Sequence, residues 1–417
     1  MLVKIALASS WSRRHVLSMI VLSIALSVAL LLAVEQVRSE VRNSFNRSVA
    51  GTDLIVGARG GELQLMLYSI FHIGQASNTI SWKSFELIRD NPNVEWALPI
   101  SLGDSHKGFR VVGTDAKLFD YFKVGRDEAL VFKEGKRFSD LFDTVIGADV
   151  AKKLNYRIGQ SITLSHGMGA TSFSEHDDRP FTIVGILEST GTPVDQSVYV
   201  SSEAIEAIHV GWQSGTRIRG QTVSESDIRD MSLTPKLITA VLVGVKSKLS
   251  TFTLQRLIND YKGEPLQAVL PGVALQQLWQ LIRIAENALF VVSICVVISG
   301  FVGMLSVLLT SLSSRRKEMA ILRAVGAKPR HLVGLLMMES AMVTLLGTVL
   351  GTVMAAIGLL VSAPWLESQF GFHLGGVSSI VSTLPMLALV LALGALIGIL
   401  PGYRAYRQTA HDGLTER

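Results

Sequence analysis

The side chains with the clearest potential for metal chemistry lie in one polar, Gly/Ser-rich stretch, SHGMGATSFSEHDDRP (165–180). Imidazole nitrogens and carboxylate oxygens are ligands that Zn²⁺ accepts. The spacing matches no closed metal-site pattern, and two further histidines, His106 and His209, lie elsewhere in the same part of the chain. The pattern therefore favours a solvated loop over a metal site. The candidates are His166, His176, Asp177 and Asp178.

The sequence motifs of several large enzyme classes do not occur in the printed sequence. It contains no G-x-x-x-x-G-K-[ST] phosphate loop, no H-E-x-x-H, no C-x-x-C and no G-x-S-x-G. We therefore expect no catalytic site and no cofactor bound by this chain, and the pattern favours transport or signalling over catalysis. The single cysteine, Cys295, lies in an apolar run and is predicted to be a small packing residue.

The composition is typical of a membrane protein. Of the 417 residues, 48% are hydrophobic and only 18% are charged, against about 25% in soluble domains. The mean hydropathy is +0.39. A helix needs about 20 apolar residues to cross a bilayer, and four runs without a charge reach that length, so we expect no ion or proton path within them. They are residues 16–34, 288–312, 341–363 and 380–400.

The basic residues predict how these helices are oriented. Residues 1–15 carry Lys4, Arg13 and Arg14 without an acid, and 313–336 carry six basic residues, whereas 364–379 carry none. The positive-inside rule then places both termini in the cytoplasm. The region 35–287 holds 27 basic and 29 acidic residues, so the net charge of +5 comes from the cytoplasmic faces. No nucleic-acid partner is expected.

The large outer region 35–287 is predicted to be an α+β domain on a helical stalk. The stalk helices are 34–49, which continues the first span, and 275–289, which leads into the second. The domain is expected to form two lobes that join near 115–145. Strand-like segments are 53–58, 109–114, 161–165, 181–187, 197–201 and 239–246, and helical segments are 81–91, 150–156 and 252–261.

An apolar segment, GELQLMLYSIFHIG (61–74), is too short to span a membrane. It carries too many large apolar side chains for a free loop. Two alternatives remain open from the sequence, an interfacial helix and a buried helix. In either case we expect it to lie against the membrane surface, a stalk or a partner protein.

A basic stretch, SRRKEMAILRAVGAKPRHL (314–332), separates the second and third apolar runs. Met319, Leu322 and Val325 fall on one helical face, and Ile321 lies beside them. Gly326 suits a helix end, and proline suits the first turn of the helix that follows. The charges alone permit two interpretations, a topology anchor against anionic lipid and a docking element for a partner.

The segment RRKEMAILRAVGAKPRHLVGLLMMESAMV (315–343) resembles the signature of the MacB/FtsX-type, or type VII, ABC transporter permeases. The stretches at 145–164 and 181–201 look like the periplasmic core domain of that family. The end, LPGYRAYRQTAHDGL (400–414), is similar to the family C-terminus, although Ala410 replaces a usual second proline. Residues 1–15 look like the amphipathic helix before the first span.

The resemblance implies that 313–336 is a coupling segment that docks on an ATPase. Because the quoted sequence lacks the ATPase domain fused to MacB, that ATPase, with its ATP and Mg²⁺, is expected on a separate polypeptide. A second permease copy is expected to meet the pair of ATPase subunits. The implied coupling residues are Arg315, Arg316, Glu318, Met319, Ile321, Leu322, Arg323, Val325, Gly326 and Lys328.

Two G-x-x-x-G spacings lie in the last two apolar runs, at Gly347 and Gly351 and at Gly394 and Gly398. Such spacing lets helix backbones approach closely. We expect them to form helix contacts within the same subunit, against the alternative of general glycine enrichment in membrane helices.

These observations predict a permease subunit in a bacterial inner membrane that uses ATP hydrolysis by its partner to move its periplasmic domain. The work would be export, lipoprotein release or delivery to a periplasmic adaptor, lipoprotein or hydrolase. The alternative is a transmembrane regulator that activates a cell-wall hydrolase. The predicted order is cytoplasmic helix 1–15, span 16–34, periplasmic domain 35–287, span 288–312, coupling segment 313–336, span 341–363, periplasmic loop 364–379, span 380–400 and cytoplasmic tail 401–417.

This layout predicts the accessibility of introduced cysteines. Cysteines near Ser224 and Gly375 should react with a membrane-impermeant reagent added to intact cells, because both positions are placed outside. A cysteine at Lys328 should react only after the membrane is breached. Labelling at Lys328 in intact cells would overturn the orientation.

Overall fold

The computed structural model describes residues 14–76, 78–125, 128–167, 179–210, 212–213, 216–217, 225–314, 321, 327–370 and 380–404. The chain divides into two compact units. The membrane unit comprises Met1–Glu40, Arg283–Trp365 and Leu374–Arg417, and the outer unit comprises Val41–Ile282 and Leu366–His373.

The strands all belong to the outer unit. They are β1 (Leu54–Ala58), β2 (Ile80–Ser81), β3 (Val94–His106), β4 (Phe109–Thr114), β5 (Lys123–Val124), β6 (Glu128–Ala129), β7 (Phe132–Gly135), β8 (Asp143–Ile146), β9 (Ser161–Ile162), β10 (Ser165–His166), β11 (Phe181–Leu187), β12 (Ser197–Ser201), β13 (Trp212–Gln213), β14 (Thr216–Arg217), β15 (Leu237–Ile238), β16 (Ala240–Val245) and β17 (Leu266–Val269).

The described helices comprise seven short or medium ones between the strands and four long ones. They are α1 (Arg14–Val49), α2 (Glu62–Ser69), α3 (Trp82–Arg89), α4 (Leu118–Tyr121), α5 (Ala148–Leu154), α6 (Ser202–His209), α7 (Glu225–Arg229), α8 (Thr251–Asn259), α9 (Pro271–Ser314), α10 (Pro329–Phe370) and α11 (Ile380–Ile397). Two short 3₁₀ turns, Pro193–Gln196 and Lys248–Ser250, complete the list.

One mixed sheet of eleven strands organises the outer unit, in the order β17-β1-β16-β3-β4-β12-β8-β11-β7, with β10 on β3 and β9 on β11. Most neighbours are antiparallel, but β12 pairs with β4 and β11 with β8 in parallel. The predicted strands 53–58, 109–114, 181–187, 197–201 and 239–246 are confirmed within a residue. The α+β class is therefore confirmed for this unit.

The predicted join of the two lobes near 115–145 is wrong. Strand β3 continues through the sheet, pairing with β16 over Val94–Ile100 and with β4 from Ser101 onward. The outer unit is one compact unit, and in it we call the part between β3 and β15 the second lobe and the remainder the first lobe, with β3 shared by both. This 13-residue strand could not be predicted from the sequence, because Pro99 interrupts its strand-like pattern. Proline is tolerated there because, among the paired residues, Pro99 faces only Val241 of β16.

The predicted helices 81–91, 150–156 and 252–261 are confirmed as α3, α5 and α8, each shifted or trimmed by a few residues. Local capping explains two of the helix starts. The Ser81 hydroxyl accepts the Ser84 N–H at the start of α3, and the Ser201 hydroxyl accepts the Ala204 N–H at the start of α6. Helices α3 and α8 then bury Ile88 and Ile258 in the core of the first lobe.

Four described helices are long and apolar enough to cross a membrane, judged by length and composition. The candidate spans are Arg14–Val49, Pro271–Leu312, Arg330–Ala363 and Thr383–Arg404. Helix α1 extends past the predicted limit of its apolar run, to Val49, and α9 begins ahead of its run, at Pro271. Both predicted stalk segments are thus helical.

Candidate functional site

The ends of the two stalk helices meet in the core of the outer unit. Phe45 near the end of α1 stacks on Phe71, with ring centroids 4.4 Å apart, and meets Trp279 of α9 edge-on at 5.6 Å. We call these three residues the aromatic junction. The Arg42 guanidinium lies over the Trp279 ring, 5.2 Å from its centroid, in a cation–π contact.

The apolar segment 61–74 supplies one side of this junction. It forms α2 and a following turn, and its buried side chains belong to the same core cluster as Phe45 and Trp279. The open choice between an interfacial and a buried helix is thus decided in favour of a buried helix, packed against the stalk helices. Its inward residues are Leu65, Met66, Tyr68, Ile70 and Phe71, whereas Ile73 is exposed.

Polar contacts hold the end of α1 to loops of the second lobe. The Ser44 hydroxyl donates to the Gly191 carbonyl at 2.8 Å, and the Arg47 carbonyl accepts the Gly125 N–H at 2.9 Å. The loop around Gly191 is itself fixed by Asp195, whose buried carboxylate accepts the backbone N–H groups of Thr190 and Gly191. The end of α1 is therefore held in the outer unit by polar and apolar contacts together.

A neutral histidine lies next to the junction in the chain. His72 Nδ1 is 2.9 Å from the Ser197 hydroxyl, and the Arg110 Nε–H donates to the His72 carbonyl at 3.2 Å. Because the Ser197 hydroxyl donates to the Pro193 carbonyl, its oxygen accepts from His72. Burial and the charge of Arg110 lower the pKa of His72 to about 4. The ring therefore stays uncharged near neutral pH.

The glycines predicted to pack helices lie at very close backbone contacts within the membrane unit. A Cβ added at Gly347 would lie 2.7 Å from Ile24 Cγ2 of α1, and one at Gly351 would lie 2.5 Å from the Ala25 carbonyl oxygen. One G-x-x-x-G pair thus faces α1. The hydroxyl of Ser27 on α1 also donates to the Val296 carbonyl of α9 at 3.2 Å.

The second glycine pair packs α11 against α10. A Cβ at Gly394 would lie 2.2 Å from Thr344 Oγ1, and one at Gly398 would lie 2.4 Å from Ser340 Oγ. The Ser340 hydroxyl also donates to the Ala395 carbonyl across the same contact, at 3.3 Å. All four predicted glycines therefore lie at helix contacts within one chain.

The structure contradicts one expectation about the apolar helices and extends the helix to which another applies. Cys295 is exposed on α9 instead of packed. The third candidate span begins at Arg330, ahead of the predicted Ala341, and therefore includes Glu339, whose side chain is buried at 3% exposure. Glu339 lines a cavity together with Arg14. The expectation of a charge-free span rested on an apolar run that starts two residues after this carboxylate.

Most of the predicted coupling segment falls outside the described residues. Ile321 is helical and exposed, and Lys328 is also exposed. Helix α10 begins at Pro329, as the sequence indicated, and the Lys328 N–H donates to His331 Nδ1 at 3.2 Å. The coupling residues outside the described part are Arg315, Arg316, Glu318, Met319, Leu322, Arg323, Val325 and Gly326.

One of the four predicted metal candidates, His166, is described, and it does not stand alone. Its Nδ1 lies 2.8 Å from Asp104 Oδ1, and its ring stacks on that of His209 with centroids 4.7 Å apart. The hydrogen bond with Asp104 raises the pKa of His166. His176, Asp177 and Asp178 lie outside the described residues. Asp104 could not be identified from the sequence pattern, because only strand pairing brings it opposite His166.

Comparison with known protein families identifies the family of this chain. The MacB-like periplasmic core domain matches residues 16–260, and the FtsX-like permease C-terminal domain matches residues 290–410. The chain belongs to the MacB/FtsX-type family of ABC transporter permeases. The two matches cover most of the outer unit with its first stalk helix and then most of the three apolar helices that follow, and this confirms the resemblance seen in the sequence.

Among curated proteins, the chain is 22% identical to macrolide export ATP-binding/permease protein MacB 1/2 of Paracoccus denitrificans, over 76% of this chain and 43% of the relative. It is 29% identical to the probable syringafactin export ATP-binding/permease protein SyfD of Pseudomonas syringae pv. tomato, over 39% of this chain and 23% of the relative. The chain thus spans less than half the length of these relatives.

Among solved structures, the periplasmic region of MacB from Actinobacillus actinomycetemcomitans matches at 12% identity and a TM-score of 0.34. The match covers 56% of this chain and 95% of that one. The extracellular domain of the noncanonic ABC-type transporter YknZ from Gram-positive bacteria matches at 14% identity and a TM-score of 0.31. That match covers 52% of this chain and 99% of the YknZ domain.

The aromatic junction predicts a large stability effect at one position. Phe45→Ala should lower the free energy of unfolding of the outer unit by about 3–5 kcal/mol, because it empties a ring-sized space between Phe71 and Trp279. Phe252→Ala is the matched control, since Phe252 is 68% exposed, and should change it by no more than about 0.5 kcal/mol. Hydrogen exchange of core amides in the full chain measures both. Equal effects of the two substitutions would show that the aromatic junction contributes little to the stability of the outer unit.

The glycine contacts predict a second pair of effects. Gly351→Ala should destabilise the membrane unit by about 1–3 kcal/mol, because the added methyl group collides with the backbone of α1. Gly358→Ala is its control, since an added Cβ there meets no described atom within 4 Å. The control should be neutral or slightly stabilising, because alanine favours helix. Thermal unfolding in detergent tests this, and similar midpoints for both variants would contradict close packing at Gly351.

Proposed function

We propose that this chain is the permease subunit of an ABC transporter that couples ATP hydrolysis by a separate ATPase subunit to movement of its outer unit. The single observation that supports this most strongly is the aromatic junction. Two long helices of candidate spans, α1 and α9, end or begin inside the core of the outer unit, at Phe45 and Trp279. A shift of either helix along its axis therefore requires the core to move with it.

The proposed layout follows the charge pattern. The outer unit is periplasmic, both termini are cytoplasmic, and the chain resides in a bacterial inner membrane. The coupling segment 313–336 then faces the cytoplasm, where ATP and Mg²⁺ are bound by the ATPase partner. A second permease copy completes a homodimer that meets two ATPase subunits.

The work of the transporter is export, lipoprotein release or delivery of a substrate to a periplasmic adaptor or lipoprotein. Export comes first, because the relatives quoted above are named for the export of macrolides or syringafactin. Those names do not favour the alternative of a regulator that activates a cell-wall hydrolase. No charged pathway through the bilayer is needed if the outer unit does the work on a substrate already in the periplasm.

A docking element and a topology anchor require different properties of the coupling segment. A topology anchor needs only positive charge, whereas docking needs Met319, Leu322 and Val325 on one helical face. Leu322→Asp should therefore leave the protein inserted but weaken ATPase association by about 10-fold or more, because a buried charge costs a few kcal/mol. Arg323→Glu should act in the same direction but less strongly, because a rim charge is worth less than a buried anchor.

Co-purification of the ATPase and its turnover rate in nanodiscs measure this effect. Leu322→Met is the matched control, since it keeps an apolar side chain of similar volume and should preserve association. Full ATPase recovery and normal turnover with Leu322→Asp would show that the segment is only a topology anchor. Loss of the inserted protein would instead assign Leu322 to folding of the helix itself.

A further inference from the structure

Three side chains that could ligate a metal ion meet in the second lobe of the outer unit. Asp104 on β3 lies directly opposite His166 on β10 in an antiparallel pair, and His209 is the last residue of α6. One ligand atom from each residue lies within 4.8 Å of the others. Two strands and a helix, separated by more than 40 residues of sequence at each step, therefore place two imidazoles and one carboxylate together.

The hydrogen bonds determine which nitrogen of His209 faces the cluster. His209 Nδ1 lies 2.5 Å from the Ile205 carbonyl oxygen, which can only accept, so Nδ1 carries the hydrogen. In the neutral ring Nε2 then has a lone pair, and it lies 3.5 Å from His166 Nδ1. A ring N–H donated to a backbone carbonyl is the arrangement that orients histidine ligands in metal sites.

The distances suit a small tetrahedral ion. With bonds of about 2.0–2.1 Å, two ligands of a tetrahedral Zn²⁺ are separated by about 3.3 Å. The separation of the two imidazole nitrogens, 3.5 Å, is already close to this value. The separation of Asp104 Oδ1 and His166 Nδ1 is 2.8 Å and would open by about half an ångström when a metal replaces the hydrogen bond.

We propose that Asp104, His166 and His209 form a binding site for a divalent first-row transition-metal ion of the Zn²⁺ class. Two nitrogen donors and one carboxylate match the ligand preference of Zn²⁺ and exclude the all-oxygen preference of Mg²⁺ and Ca²⁺. The Asp104 side chain is 4% exposed and that of His166 is 25% exposed. The carboxylate is thus shielded from solvent, and the histidine is partly exposed.

A purely structural role for this cluster would not require all three side chains. A single Asp104–His166 hydrogen bond would already fasten β10 to β3. The ring of His209 stacks on that of His166, and its Nε2 is directed at His166 Nδ1. It adds a third potential metal ligand that the β3–β10 contact does not need. A bound ion would connect β3, β10 and α6, so metal binding should stiffen this part of the second lobe.

The test uses the full chain in nanodiscs, stripped of metal with a chelator and titrated with Zn²⁺ alone. We expect one ion per chain, with affinity at least 10-fold weaker in His209→Gln and in Asp104→Asn. His15→Gln is the matched control, because it removes an exposed histidine of the membrane unit and should leave the affinity unchanged. Thermal unfolding should shift upward with Zn²⁺ in the unaltered protein and in this control only.

A new absorption band can identify residue 166 as a metal ligand without relying on a loss of metal affinity. His166→Cys keeps a metal donor at this position, so Co²⁺ added to this variant should produce a thiolate-to-metal charge-transfer band that the unaltered protein lacks. Ser165→Cys, one residue away, should not produce the band. Cys295 is present in all of these proteins and therefore cancels in the comparison.

Three results would overturn the proposal. The first is the absence of Zn²⁺ binding by the unaltered protein. The second is unchanged affinity in His209→Gln and Asp104→Asn, which would place the ion elsewhere. The third is the absence of a charge-transfer band in a folded His166→Cys variant that still takes up Co²⁺. None of these results bears on ATPase coupling, so this inference and the proposed transport function fail separately.

Discussion

The packing of Phe45 between Phe71 and Trp279 is the contact on which this account of the structure depends. Each ring buries a large apolar surface, and aromatic pairs gain about 0.5–1.5 kcal/mol beyond that burial. Because the three residues come from α1, the turn after α2 and α9, the contact joins three separate parts of the chain. The outer unit therefore cannot release either stalk helix without opening its own core.

The membrane unit meets a different constraint. Between apolar helices in lipid the hydrophobic effect gives no preference for packing, so close backbone approach and hydroxyl hydrogen bonds must supply it. Gly347 and Gly351 admit α1, and Gly394 and Gly398 admit α10. Such contacts tolerate little adjustment, since even a methyl group collides. Helices held in this way are suited to move as stiff bodies, as the proposed transmission of force requires.

The sequence predicted those features that depend on local periodicity. The four apolar helices, the strands 181–187 and 197–201 and the start of α10 at Pro329 all follow from apolar runs, alternation and proline preference. Strand β3 could not be predicted, because Pro99 and Gly103 break its pattern and its stability comes from two neighbours distant in sequence.

The same limit explains what the sequence showed of the functional sites. The glycine contacts were predicted because both members of each pair lie in one helix, four residues apart. The aromatic junction could not be predicted, although Phe45 lies in the predicted stalk helix 34–49, because Trp279 is more than 200 residues away. The metal candidates indicated by the sequence all lie within one loop, whereas the described cluster takes Asp104 and His209 from a strand and a helix beyond it.

In the proposed function, the aromatic junction transmits movement of the membrane helices to the outer unit. The most direct test of this claim is the distance between spin labels on two permease copies, attached through Val131→Cys in a Cys295→Ser background, with the ATPase bound in nanodiscs. Val131 is 52% exposed in the outer unit. We predict a distance distribution that shifts with ATP hydrolysis and loses this shift in Phe45→Ala while ATP turnover continues. The same shift in Phe45→Ala, or no shift in the unaltered protein, would contradict the claim.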